Sequence, residues 1–191
     1  MRVTGGECRG RILKVPDTGT VRPTTDKMRQ MLYNMLAHSQ WATQAGFELV
    51  EAHVLDGFCG TGALGIEALS RGAQSCVFVD HDGRVLKIAE ANVKMCGYDK
   101  VSTFLIKGCQ TMGPRPDKIP PRNLVMLDPP YNKDFMLPSV TSLMDGGWLA
   151  PDALVIGETE KGWAGAVPEA LRLVHVRADG DSQLNVWYLG A

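Results

Sequence analysis

Val54-Leu55-Asp56-Gly57-Phe58-Cys59-Gly60-Thr61-Gly62-Ala63-Leu64-Gly65 is the stretch that decides the fold. An apolar run that ends on an acid, turns through glycines and enters an Ala/Leu run reads as strand, tight turn and helix. Such a turn offers backbone N–H groups and the positive end of a helix to a ligand. Gly60-x-Gly62-x-x-Gly65, with Asp80 about twenty residues on, satisfies the dinucleotide fingerprint, so a nicotinamide or flavin oxidoreductase is one reading. Two features favour another. The strand ends at Asp56, whereas in the dinucleotide motif the first glycine follows the strand almost at once. An acid ahead of the loop also repels a pyrophosphate and suits an ammonium group. The stretch therefore fits S-adenosylmethionine, with Asp56 near its amino-acid end, glycine backbone beneath it and Asp80 on the ribose hydroxyls. Gly65 serves helix–strand packing.

Outward from this turn the chain alternates. Apolar strand candidates are Ala52–Asp56, Ser75–Asp80, Val101–Lys107, Asn123–Asp128, Ala153–Glu158, Leu171–Arg177 and Leu184–Leu189. Helical patterns at Ala63–Arg71, Asp82–Cys96 and Phe135–Met144, and a weak one over 109–119, separate the first five. Strands alternating with helices imply right-handed crossovers and a mostly parallel sheet. The last two strands are separated only by Ala178–Gln183, too short for a crossover helix, so they pair antiparallel. The expected fold is a seven-stranded, Rossmann-like α/β sheet, mostly parallel with an antiparallel last strand.

Ahead of that sheet, Arg2–Thr4 and Arg11–Val15, with Gly5, Gly6 and Gly10 between them, predict an N-terminal β-hairpin. Pro23 biases Arg22 to extended geometry, and Thr24 or Thr25 can cap a helix whose Met28, Met31, Leu32, Met35 and Leu36 share one face. This methionine stripe reads as core. The organisation expected is a hairpin arm over 1–22 and a catalytic domain over 23–191. Residues 1–30 carry seven basic and three acidic side chains (+4) and the rest 13 and 18 (−5), giving the total of −1. A basic arm on a mildly acidic body suits a polyanion, or is a solvated edge.

Composition bounds the class. Hydrophobic content of 45% and charged content of 21% exclude a disordered or collagenous chain. The opening residues show no secretory signal, and no run is long enough to span a membrane. Five cysteines without CxxC spacing argue against a disulfide framework and against a structural zinc site. A cytoplasmic protein without metal is expected.

Asp128-Pro129-Pro130-Tyr131 follows the fourth strand at its carboxyl end, where open α/β sheets bind ligands. Two prolines force a stiff turn. The Asp128 carboxylate and the Pro129 carbonyl could both accept from an exocyclic amine, and Tyr131 offers a face for stacking, worth ~1–3 kcal/mol per base. An aryl amine is a poor nucleophile, so holding it towards a sulfonium methyl is useful. The four Trp residues (41, 148, 163, 187) read as packing, and Tyr188 as core.

An Asp-Pro-Pro-Tyr tetrapeptide behind such a glycine turn resembles the amino-methyltransferases. Nearly the whole chain is similar to one branch, the RsmD-type bacterial 16S ribosomal RNA guanine-N2 methyltransferases. The residues that point there are the hairpin ending in Arg9-Gly10-Arg11, the Arg22-Pro23-Thr24-Thr25-Asp26 block, and Ser70-Arg71-Gly72-Ala73. The resemblance implies a class I methyltransferase fold that binds S-adenosylmethionine at Asp56, Phe58, Gly60, Gly62 and Asp80, with Thr25, His81, Gly108 and Cys109 around it. It implies catalysis at Asp128, Pro129 and Tyr131 on the N2 of a guanine, G966 in the family's RNA. It also implies that Arg9, Arg11 and Arg22 grip RNA at the mouth of the site, in a chain acting as a monomer on 16S RNA or the small-subunit particle. Three places depart from the family. Asp80 stands where it usually has Glu, Gly108-Cys109 where it usually has Gly-Asp, and Cys59-Gly60-Thr61 where the turn usually has Ala or Gly-Ser, a neutral change. Cysteine is a weak acceptor, which leaves the adenine to backbone or to Gln110. Competing readings are an adenine-N6 methyltransferase on DNA or RNA, and a non-catalytic RNA-binding assembly factor.

Overall fold

The computed structural model describes residues 1–16, 25–131 and 133–190. Its sheet contains β1 (His53–Gly57), β2 (Ser75–Asp80), β3 (Ser102–Ile106), β4 (Arg122–Leu127), β5 (Leu149–Glu160), β6 (Leu171–Asp179) and β7 (Ser182–Leu189). Their order is β3-β2-β1-β4-β5-β7-β6. β1 to β5 are parallel, and β7 runs antiparallel between β5 and β6. The alternation read from the sequence is this sheet, because β1, β2 and β4 are covered on both faces and so are almost continuously apolar.

Helices α1 (Asp26–His38), α3 (Ala63–Ser70) and α4 (Gly83–Met95) pack on one face, and α5 (Met136–Asp145) on the other. A short α2 (Gln40–Gln44) follows α1. The sheet reverses its winding between β1 and β4, and the carboxyl ends of those two strands open a crevice there.

Three sequence expectations change. The weak helix over 109–119 is a single 3-10 turn, Cys109–Thr111, followed by loop. Gly113 sits at φ +67° and Pro114 and Pro116 cannot continue a helix. The buried face of α1 is rotated from the methionine stripe: Met31 and Met35 are half-buried, while Tyr33 is fully buried and donates to the Leu64 carbonyl at 2.6 Å. Tyr188 is not core. It is half-buried on β7 and donates to Asp152 Oδ1 at 2.6 Å.

The N-terminal hairpin forms through the Arg2–Ile12 bridge, and its Val3 and Leu13 enter the same core as α1, α3 and α4. The expected boundary at residue 22 lies outside the described residues. The tip is docked at the C-terminal end of α3: Glu7 N–H donates to the Ser70 carbonyl (2.8 Å) and Cys8 N–H to Ser70 Oγ (2.9 Å). The open end reaches the glycine turn, where buried Asn92 donates to the carbonyls of both Lys14 and Thr61 (3.0 Å each).

Candidate active site

The turn after β1 is built from residues that accept left-handed backbone. Gly60 and Gly62 lie at φ +55° and +76°, and Phe58 at +60°, a conformation uncommon for a side-chain-bearing residue. Cys59 N–H donates to the Val79 carbonyl and Gly62 N–H to the Cys59 carbonyl, closing the loop. A Cβ at Gly65 would lie 2.4 Å from Phe78 Cε1 and 2.7 Å from Cys76 Sγ, so only glycine lets α3 approach β2 this closely. Its packing role is the one expected.

Two acids brace the turn. Asp80 Oδ2 accepts from Gly60 N–H (3.0 Å) and Oδ1 from Asp82 N–H (3.0 Å). Each carboxylate oxygen has a second lone pair that a ribose hydroxyl could use. Asp56 is 1% exposed, and its Oδ2 accepts from Gly65 N–H at 2.8 Å. It therefore ties β1 to the start of α3 beneath the turn. Burial pushes its carboxyl well above the usual range; Gly65 opposes this, and the nearby charges of Asp128 and Asp80 reinforce it.

A group held protonated in the folded state but released by the unfolded chain near pH 4 lowers stability as pH rises past that value, until its own raised pKa is reached. Asp56→Asn removes this titration. From about pH 4 upward the variant is expected to lose less stability than the parent, as read from urea midpoints at successive pH values. Parallel curves for the two proteins would refute it.

Asp128 follows β4 directly, and its N–H points to the Gly57 carbonyl at 3.4 Å. That approach sets Asp128 next to the carboxyl end of β1. Pro129 is buried and Pro130 exposed, so the corner projects from the sheet edge. Tyr131 is half-buried rather than sealed in. Its hydroxyl donates to Glu158 Oε1 (3.2 Å) and pairs with Ser182 Oγ (2.7 Å). Burial raises its pKa, the bond with Ser182 opposing.

Two clefts meet at this corner. One, of about 240 Å³, is lined by Phe58, Asp80, His81, Gly108, Cys109 and Gln110. The other, of about 340 Å³, is lined by Pro129, Tyr131, Glu158, Glu160 and Trp163. Pro130 and Phe135 belong to both. Phe135 stacks on Phe58 with ring planes 5° apart and centroids 6.2 Å apart, which makes an aromatic partition between them. The first cleft has the parts for an adenosine: a buried carboxylate, glycine backbone and flat apolar walls.

Several expected site residues take other places. Thr25, like Asp56, Gly60, Gly62 and Asp128, lines neither cleft; its hydroxyl accepts from Met28 N–H (3.1 Å) as the cap of α1. The Cys109 thiol is buried and accepts from Phe58 N–H; burial pushes it up to about 12. It forms floor, not an adenine acceptor, and Gln110 is the polar side chain at that end of the cleft. His81 is largely exposed on the rim, with Nδ1 3.3 Å from Asp80 Oδ1.

Arg9 and Arg11 are exposed on the hairpin tip, at the C-terminal ends of α3 and α4, where Cys8 also meets the Cys96 carbonyl. In a parallel α/β unit that end is opposite the strand carboxyl ends, so these arginines do not flank the mouth as expected. Arg22 lies outside the described residues. Glu158, Phe135 and Trp163 were missed. Only the β4–β5 register brings Glu158 to the site; Phe135, just after the proline corner, was legible by proximity.

A family model described as Conserved hypothetical protein 95 matches residues 1–188. The chain belongs to this family. It is 36% identical over 160 residues to the ribosomal RNA small subunit methyltransferase D of Escherichia coli K12, covering 84% of this chain and 75% of that protein. A solved structure described as a putative methyltransferase yhhF from Escherichia coli superposes with a TM-score of 0.82 at 30% identity, covering 100% of this chain and 98% of that one. An RNA methyltransferase from Salinibacter ruber, in complex with S-adenosyl-L-homocysteine, shares the fold (TM-score 0.58, 19% identity, 88% and 94% covered). The family's fold is the Rossmann-like class I methyltransferase, and S-adenosylmethionine, the cofactor expected from the glycine turn, accords with it. Among the described residues no cluster of His, Cys, Asp or Glu could hold a metal, and no helix is long and apolar enough to cross a membrane.

Proposed function

We propose that this protein transfers a methyl group from S-adenosylmethionine to the exocyclic N2 of a guanine in 16S ribosomal RNA of the small subunit. The observation that carries this reading is the corner that follows Asp128, whose Pro129, Pro130 and Tyr131 stand where two clefts meet, one suited to an adenosine and one open to a base. The names of its ribosomal RNA methyltransferase relatives support the substrate class. When bound, the cofactor supplies an electrophilic methyl on a sulfonium. Asp80 and the glycine turn hold and orient it. Asp128 and the Pro129 carbonyl accept from the amine and fix its direction, an ordering that can supply several kcal/mol of the barrier. The Tyr131 face stacks the base, and its bonds to Glu158 and Ser182 hold that face still. Arg9 and Arg11, remote from the corner, would meet RNA away from the modified base.

The test is transfer of labelled methyl to small-subunit RNA and to small-subunit particles, with the product nucleoside identified. N2-methylguanosine at one position is expected, absent from the RNA of a deletion strain. N6-methyladenosine, or binding without transfer, would overturn the reading.

A further inference from the structure

A second carboxylate stands one strand from Asp128. In the β4–β5 ladder Leu127 is opposite Gly157, so Asp128 and Glu158 are the next residues along two adjacent parallel strands at their carboxyl ends. Glu158 is half-buried and lines the cleft on the far side of the proline corner from the adenosine-sized one. The walls around it are aromatic: Tyr131, Phe135 and Trp163, the last steadied edge-on against Trp187. Flat walls with the Glu158 carboxylate at one side, on the strand next to the one that leads into Asp128, fit a base whose edge is a row of donors.

Guanine has that edge, with N1–H next to the N2 amine. Adenine has a lone pair on N1 next to its amine, which would face a carboxylate unfavourably. A carboxylate has about four lone-pair positions and can serve several donors at once, Tyr131 included. We propose that Glu158 is the specificity-determining residue of the site: its carboxylate accepts the N1–H of the target guanine while Asp128 holds the neighbouring N2 amine. The inference rests on the guanine-N2 reading and adds to it the group that rejects other purines.

The probe is 2-aminopurine, which keeps the N2 amine, replaces N1–H with a lone pair and carries hydrogen in place of O6, so the change of preference in the Glu158 variant isolates the N1 contact. Small-subunit RNA is made with guanine or with 2-aminopurine at the mapped position, and kcat/KM for methyl transfer is measured on each. The parent protein is expected to prefer guanine by on the order of 100-fold or more, as sites built around a substrate hydrogen bond do. Glu158→Gln, whose amide can donate to the N1 lone pair, is expected to narrow the preference to within about tenfold, mainly by losing activity on guanine. Equal rates on the two RNAs for the parent protein would overturn the proposal without any variant, as would an unchanged preference in Glu158→Gln. Absence of N2-methylguanosine altogether would instead remove the functional reading beneath it.

Discussion

Asp128→Ala is expected to lower kcat for methyl transfer by about 10³-fold, within the 10²–10⁴ range for loss of a positioned acid–base group, while cofactor affinity changes little. The asymmetry follows from where the side chain stands. Asp128 follows β4 directly and leads into Pro129 and Tyr131, which line the base-sized cleft, whereas the turn that would hold the cofactor is braced by Asp80 and Asp56. Asp128→Asn separates two roles. An amide oxygen can still accept from the amine but cannot take its proton, so a loss of about tenfold marks orientation and a loss matching alanine marks proton transfer. Equilibrium binding of S-adenosyl-L-homocysteine together with single-turnover transfer reads both. Full activity in Asp128→Ala would remove this residue from the chemistry.

The largest effect on stability is expected at Glu67. Its carboxylate is fully buried on α3 and serves Thr4 N–H (2.7 Å), Thr4 Oγ1 (2.7 Å) and the Arg71 guanidinium (2.9 Å from Nε, 2.8 Å from Nη2). Removing one partner of a buried charge network costs about 3–5 kcal/mol. At about 2–4 °C per kcal/mol for a chain of this size, Glu67→Ala should lower Tm by roughly 6–20 °C. Because Thr4 belongs to the hairpin, loss of its anchor should also raise amide exchange over residues 1–14 ahead of the sheet. A shift under about 2 °C, with unchanged exchange, would show that the hairpin is held by Val3, Leu13 and its bonds to Ser70 and Asn92 without need of Glu67. Arg71 keeps two partners in the variant, since its guanidinium also donates to Thr4 Oγ1 (3.3 Å) and lies 5.2 Å from the Tyr33 ring centroid.

The sequence was most legible where local rules and tertiary demands coincide. β1 and β2 are buried on both faces, so their apolar runs needed no context. Gly60, Gly62 and Gly65 were readable because left-handed backbone and close helix–strand approach each exclude a side chain. Asp128-Pro129-Pro130-Tyr131 was readable because two prolines can only turn there. Legibility failed where partners come from distant segments. Thr25 could cap a helix or touch a ligand, and spacing alone does not separate those duties. Asp56 carried the right charge for an ammonium, yet its burial and its bond to Gly65 are properties of the packed sheet and helix.

What the sequence determined by itself was the alternation of strand and helix, the glycine turn and the proline corner, all set by backbone sterics and by the periodicity of apolar residues. Tertiary structure alone decided that β5, which carries Glu158, lies next to the strand that leads into Asp128, that Phe58 and Phe135 make one partition, and that the arginine-bearing tip lies at the end of the helices away from the mouth. Strand order, register and helix direction fix those relations, because residues 30 to 80 positions apart become neighbours only when the sheet closes in one register.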